Sequence, residues 1–216
     1  MDRTVFLDRV RAALGEAPGP ELPTEWPPTP ASGDGTVDPE RFAAALAATG
    51  GLARRVGRPG LADAIADVAR ELRSGRTVVV TADADRLYRT ELDEGLVAAR
   101  ADAVRPSPDG WRGEAARADL GITSAALAVC STGSVLLVPG PECPRVASLL
   151  PPAHLVLLPV ERLVPGLEDV MPVLADGAAA ASSAVLVTGP SRTSDIEMIT
   201  VLGVHGPRVL RVLVVE

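Results

Sequence analysis

Apolar positions along the chain change their spacing, and each change marks an element. Residues 2–14 place Val5, Phe6, Val10, Ala13 and Leu14 at intervals that suit one face of a helix. A second helical run, DPERFAAALAATG at 38–50, has Asp38 where an N-cap belongs, Pro39 at the first helical position and Gly50 at the end. GLADAIADVARELRSG at 60–75 repeats the helical spacing and closes on Gly75, and ELDEGLVAARA at 91–101 reads as another helix. Between these lie short apolar runs bounded by Gly and Pro: GLARRV, RTVVVTA, AHLVLLPV, SAVLVTG and RVLRVLVVE. Such runs are buried strands, and DAVRP at 102–106 is a shorter one. AALAVCSTGSVLLVP at 125–139 holds two apolar runs around Thr132-Gly133, which predicts a hairpin or tight strand–strand bend. Short helices are expected in PECPRVASLLP, in GLEDVMPVLADG around Pro172, and in SDIEMI at 194–199.

Strands alternating with helices predict an α/β fold, an open and mostly parallel sheet with helices on both faces. In such sheets ligands bind at the carboxyl ends of the strands. Residues 37–216 form this domain. Residues 1–36 are an N-terminal helix and an arm, because GEAPGPELPTEWPPTPASGDG is too rich in Pro and Gly to hold a core. Val5, Phe6 and Trp26 are too apolar for a solvated tail, so the arm is expected to pack on the body or on a neighbouring subunit.

Composition narrows the function classes. Aromatic residues are 2% of the chain, so the core is aliphatic. The net charge of −7 and the scarcity of aromatic rings argue against nucleic-acid binding. No apolar stretch is long enough to span a bilayer, and the acidic N-terminus lacks the apolar centre of a signal peptide. The expected location is cytoplasmic. Cys130 and Cys143 stand thirteen positions apart and fit neither a zinc nor an iron–sulfur motif. With two histidines, His154 and His205, no metal site is expected.

Three stretches hold candidate chemistry. In GPSRTSDIE, residues 189–197, Ser194 and Glu197 match the S-x-x-E capping box, with Asp195 and Glu197 in the first helical turn. The same geometry serves as an anion site, because free N–H groups at a helix start attract carboxylate or phosphate and Arg192 adds a bidentate donor. The spacing leaves both readings open. GVHGPR, residues 203–208, is a tight bend that exposes His205 and Arg208, and a histidine there is a candidate acid or base. CSTGS, residues 130–134, places hydroxyls around Gly133 without the GxSxG elbow of a serine hydrolase. His154 opens a strand and reads as structural.

Three longer segments carry a resemblance: ADLGITSAALAVCSTGSVLLV, LLPPAHLVLLPVERLVPGLEDVMPVL and GPSRTSDIEMITVLGVHGPRVLRVLVVE. Together they resemble the LUD-domain family, in its lactate utilization protein C branch, strongly over residues 117–216 and weakly from Asp38. The resemblance implies a fold like that of ribose-5-phosphate isomerase, glucosamine-6-phosphate deaminase and the CoA-transferases. It implies a part in oxidising L-lactate to pyruvate beside two partner proteins that carry the iron–sulfur clusters, with no cofactor in this chain. The family usually reads A-E-T-G-T where this chain has Cys130-Ser131-Thr132-Gly133-Ser134, and its glutamate resembles the nucleophile of CoA-transferases. Serine at 131 cannot form the acyl anhydride that a carboxylate forms. A substrate-handling or accessory subunit is therefore expected. The alternatives are a stand-alone isomerase- or transferase-like enzyme, or an organic-acid-binding module, acting on a small phosphorylated or carboxylated metabolite. Because GPSRTSDIE and GVHGPR both belong to the resemblance, they are expected to converge on one anion. Arg192, His205 and Arg208 would face it, with Ser191, Thr193 and Ser194 as hydroxyl donors and Thr132 and Gly133 as the opposite wall.

Overall fold

The computed structural model describes residues 3–14, 35–71, 77–177, 183–194 and 200–216. Its strands are β1 (Leu52–Val56), β2 (Thr77–Val80), β3 (Asp102–Val104), β4 (Leu120–Ser124), β5 (Leu127–Val129) and β6 (Ser134–Leu137). They continue with β7 (Ala153–Pro159), β8 (Leu163–Val164), β9 (Val185–Val187), β10 (Arg192–Ser194), β11 (Thr200–Leu202) and β12 (Val209–Val215). The helices are α1 (Arg3–Leu14), α2 (Pro39–Ala48), α3 (Leu61–Glu71), α4 (Ala82–Ala99), α5 (Trp111–Arg117) and α6 (Val170–Gly177).

The central sheet has the order β1-β12-β7-β4-β2-β3, and every pairing in it is parallel. β7 is buried at all seven positions, as a strand covered on both faces must be. Its side chains alternate with period two. Leu155 and Leu157 pack with Leu61 and Ile65 of α3 and Leu92 and Leu96 of α4. Val156 and Leu158 turn the other way, to Phe42 and Leu46 of α2 and Ala128 and Val135 of β5 and β6. Each large apolar side chain buried this way contributes about 1.5–3 kcal/mol. The chain runs outward from β2 to β3, returns to β4 and then builds toward β7 and β12, so its direction reverses between β2 and β4.

α2 forms where the sequence places it. Asp38 accepts a hydrogen bond from the Glu40 N–H at 2.9 Å, Pro39 opens the helix, and Gly50 follows its end with φ +92°. α1 also forms as expected, with Val5, Phe6 and Val10 exposed. The Pro- and Gly-rich run with Trp26 lies outside the described residues.

Several elements differ from the sequence expectation. Residues 185–187 do not join the parallel sheet. β9 pairs antiparallel with β6 in a second sheet, β8-β5-β6-β9, whose β5 and β6 join α2 in covering one face of the first. β1 is an edge strand with Leu52, Arg54 and Arg55 exposed. Arg192–Ser194 is extended and pairs antiparallel with Thr200–Leu202, and the rest of the short helix expected at 194–199 lies outside the described residues. Asp195 and Glu197, which the capping box needs, lie outside the described residues. Residues 141–151 hold only a short 3-10 turn at Arg145–Ser148. α4 starts at Ala82, well before the predicted helix, and departs from helical geometry at Tyr88 (φ −140°, ψ 32°).

Candidate functional site

The two signature loops meet. The Ser191 N–H donates to the Pro207 carbonyl at 2.8 Å, and the Ser191 carbonyl accepts from the Gly203 N–H at 2.9 Å. Both loops are thereby clamped at the amino ends of β7 and β12, because Arg208 N–H donates to the Pro152 carbonyl at 2.8 Å. This is the opposite edge from the one the general rule for α/β sheets predicts. The reason is connectivity: 203–208 runs into the start of β12, and 149–152 into the start of β7.

A groove of about 600 Å³ opens at this junction. His205, Arg208 and Val204 line it from the loop before β12, and Leu149, Leu150 and Pro152 from the segment before β7. His205 and Arg208 are exposed. The aliphatic part of Arg208 lies over Gly203, where a Cβ would leave it no room. Gly203 has φ +76°, a conformation that suits glycine and lets the arginine fold back.

The other predicted residues fall nearby but on different surfaces. The Arg192 guanidinium stands against Gly50 at the end of α2, where a cation is favoured by the helix dipole. Thr193 is half-buried opposite Val201. Ser194 pairs through its backbone with Thr200. Thr132 belongs to a chain of hydroxyls, Thr132 Oγ1 to Ser134 Oγ at 2.7 Å and Ser134 Oγ to Thr188 Oγ1 at 2.8 Å. Gly133 has φ +67° and presses on the α2 backbone, where a Cβ would lie 2.6 Å from Leu46 Cα. The structure thus joins Ser191 to His205 and Arg208, and ties Arg192, Thr132 and Gly133 to α2 and its surroundings. Among the described residues no carboxylate forms an ion pair with Arg192, His205 or Arg208.

Beneath the groove, on β7, His154 is buried and its Nε2 lies 2.9 Å from Thr123 Oγ1. Burial holds its pKa down at about 4, so it is neutral at physiological pH. It satisfies a core hydrogen bond and does not reach the surface.

The carboxyl edge holds a cluster that sequence reasoning missed. Asp83, in the first turn of α4, is bonded by the Thr81 hydroxyl and by the Ala84 N–H at 2.8 Å, with Cys143 and the Ser124 backbone beside it. Burial raises its pKa above the usual carboxylate range, against the lowering effect of these bonds. Thr81 Oγ1 also lies 3.1 Å from the Ile122 carbonyl. Burial, then Asp83, push the Cys143 thiol above its ordinary range, so it is held protonated. The available signal was an acid two residues after the buried run VVVT, at the end of a parallel strand.

Among the described residues no group of three or more His, Cys, Asp or Glu side chains stands together as a metal site, and no helix is long and apolar enough to cross a membrane.

The LUD domain family model matches residues 40–215. Curated relatives include lactate utilization protein C of Exiguobacterium sp., 38% identical over 112 residues, which are 50% of this chain and 49% of that protein. Lactate utilization protein C of Bacillus subtilis is 34% identical over 98 residues, 44% of this chain and 41% of its own length. That of Deinococcus radiodurans is 32% identical over 149 residues, 68% and 66% of the two chains. The chain spans about half the length of most of these relatives. The crystal structure of a DUF162 family protein from Deinococcus radiodurans superposes with a TM-score of 0.61 at 23% identity, covering 82% of this chain and 95% of that one, which shows a shared fold. The family match runs from the start of α2 to the end of the last strand, and on that basis the chain belongs to the LUD-domain family.

Proposed function

We propose that this chain serves lactate utilization as a substrate-handling or accessory subunit without a redox centre of its own, and that the groove at 203–208 holds the carboxylate of a small organic acid. The observation that carries the reading is the clamp of Ser191 to Gly203 and Pro207, which fixes His205 and Arg208 in one groove with no carboxylate partner among the described residues. In a chain of net charge −7, cations with no carboxylate partner among the described residues favour an anionic ligand at that place. The names of the relatives supply the acid: several are lactate utilization protein C.

The chemistry available to the chain supports a subunit role. It has two cysteines, whereas an iron–sulfur cluster of ordinary ligation takes four. Electrons from lactate would therefore pass to clusters held by partner proteins. In the groove, Arg208 would bind and orient the carboxylate, and His205 would donate to it or take a proton from a neighbouring hydroxyl.

The deciding experiment reconstitutes lactate-dependent dye reduction with cysteine-rich partner proteins, with and without this chain. The expected result is activity that depends on the chain and falls in Arg208→Ala. Full activity without the chain, together with normal growth on lactate after its deletion, overturns the role. Turnover of a sugar phosphate or an acyl-CoA by the isolated chain would favour a stand-alone enzyme instead.

A further inference from the structure

A second cavity, of about 230 Å³, opens on the other edge of the sheet, at the carboxyl ends of β2 and β3. It is independent of the groove. Val80 lies at its strand end, and Trp111, Pro106, Pro108 and Pro141 line it. Three prolines and a largely buried indole make stiff apolar walls, so little conformational freedom is lost when something enters. Its size is below that of pockets for drug-sized ligands, which suits a single group of one or two rings.

The polar rim is the informative part. Arg105 Nε donates to Asp85 Oδ1 at 2.6 Å, and Arg105 Nη2 donates to Asp93 Oδ1 at 2.6 Å. Asp85 Oδ2 also accepts from Arg89 Nη1 at 2.7 Å. Two carboxylates and two guanidiniums cancel, yet spare lone pairs on Asp85 and the Nη1 hydrogens of Arg105 still offer an acceptor and donors. Asp83 and Asp85 occupy the first turn of α4, so phosphate is repelled from this helix start. The slot lies at the carboxyl ends of the strands, the edge where parallel sheets bind ligands, one strand outward from the reversal between β2 and β4.

We propose that this slot binds a flat, uncharged heteroaromatic ring of nucleobase size, stacked on the Trp111 and proline walls, with a ring N–H facing Asp85 and a ring acceptor facing Arg105. A charged head group adds nothing here, because the rim is neutral and the α4 start is acidic.

The test uses the full chain carrying Trp26→Phe, which leaves Trp111 as the only tryptophan. Adenine is titrated against its emission, with adenosine monophosphate and acetate as charged probes. The expected result is saturable quenching by adenine, binding of the monophosphate no tighter than adenine, and none by acetate. Arg105→Ala is expected to weaken adenine at least tenfold, and Asp85→Asn to do the same with the fold intact by circular dichroism. If Arg105→Ala fails to fold, Asp85→Asn decides alone. Absence of saturable quenching overturns the proposal. So does equal affinity in the folded variants, or tighter binding of the monophosphate. None of these outcomes bears on the groove at 203–208, whose reading rests on Arg208.

Discussion

The groove at 203–208 and the slot beside Trp111, on opposite edges of the central sheet, handle charge in opposite ways. At the carboxyl edge arginines are neutralised within the chain: Arg58 on Glu91, Arg86 on Glu142, Arg105 on Asp85 and Asp93. Asp83 is half-buried and hydrogen-bonded there. At the amino edge, Arg192, His205 and Arg208 stand exposed without a carboxylate partner among the described residues. Exposed ion pairs stabilise little, so the pairing at the carboxyl edge is mainly a way of leaving no net field over an apolar slot. The cations of the groove have no carboxylate partner among the described residues, which favours an anion there. The backbone of the amino edge is fixed, by the Ser191 clamp and by close approach at Gly133.

That rigidity gives the largest expected effect. Gly133→Ala forces a Cβ to 2.6 Å from Leu46 Cα and 2.7 Å from the Ala45 carbonyl carbon, at φ +67°. Strain at such a position and displacement of α2 should together cost about 3 kcal/mol or more. Urea denaturation reads it as a lower midpoint. A midpoint equal to that of the parent would mean that the turn and α2 are free to move apart, and that the amino edge is not rigid.

Acid should separate the two edges next. His154 has a folded pKa of about 4 against an ordinary value of 6.5. Between these values the unfolded chain binds the proton and the folded chain does not. The stability that depends on neutral His154 is thus complete above pH 6.5 and is lost as pH falls to 4, by about 3 kcal/mol in all. Asp83 acts in the opposite sense. Its folded pKa is raised, so its contribution is complete below the ordinary carboxylate value and is lost as pH rises through the folded one. Melting temperature against pH checks both: His154→Gln should flatten the acid slope, and Asp83→Asn should steepen it. An unchanged slope in His154→Gln contradicts the assignment.

At the groove itself, Arg208→Ala should weaken lactate or phosphate binding about tenfold or more, the loss of roughly 1.5–3 kcal/mol for one charged donor. Arg192→Ala should do less, because its guanidinium stands against Gly50 and not in the groove. Calorimetry on the two variants ranks them. Equal losses would mean that Arg192 swings from α2 onto the ligand, and no loss in Arg208→Ala would remove the groove as the anion site.

The sequence made the parallel sheet legible because its strands are long, apolar and bounded by Gly and Pro, as at Ala153–Pro159 and Val209–Val215. α2 was legible from its caps. A run of three apolar residues does not name its partner, so the antiparallel pairing of Val185–Val187 with β6 could not be read. The pairing of Arg192–Ser194 with Thr200–Leu202 could not be read, because three polar residues carry no strand periodicity. Convergence of the two loops was legible only through the family resemblance, and the edge on which they converge was not. Asp83 and the Trp111 slot were missed because their partners, Cys143, Arg105 and Pro141, are far away in sequence.

The smallest expected effect tests whether neutralisation at the carboxyl edge is shared. Asp85 is held by two arginines on different oxygens, Arg89 at 2.7 Å and Arg105 at 2.6 Å. Arg89 is an exposed i,i+4 partner on α4, whereas Arg105 is largely covered. Removing Arg89 leaves Asp85 paired, so Arg89→Ala should cost only about 0.3–0.5 kcal/mol, the usual value of an exposed helical pair. Added salt should shrink even that difference, because the pair faces solvent. Denaturation of the variant at low and high ionic strength makes the measurement. A loss well above 1 kcal/mol that persists in salt would show that Asp85 depends on both arginines at once. The rim of the slot would then be a coupled network, and its contrast with the groove at 203–208 would be one of strain as well as of charge.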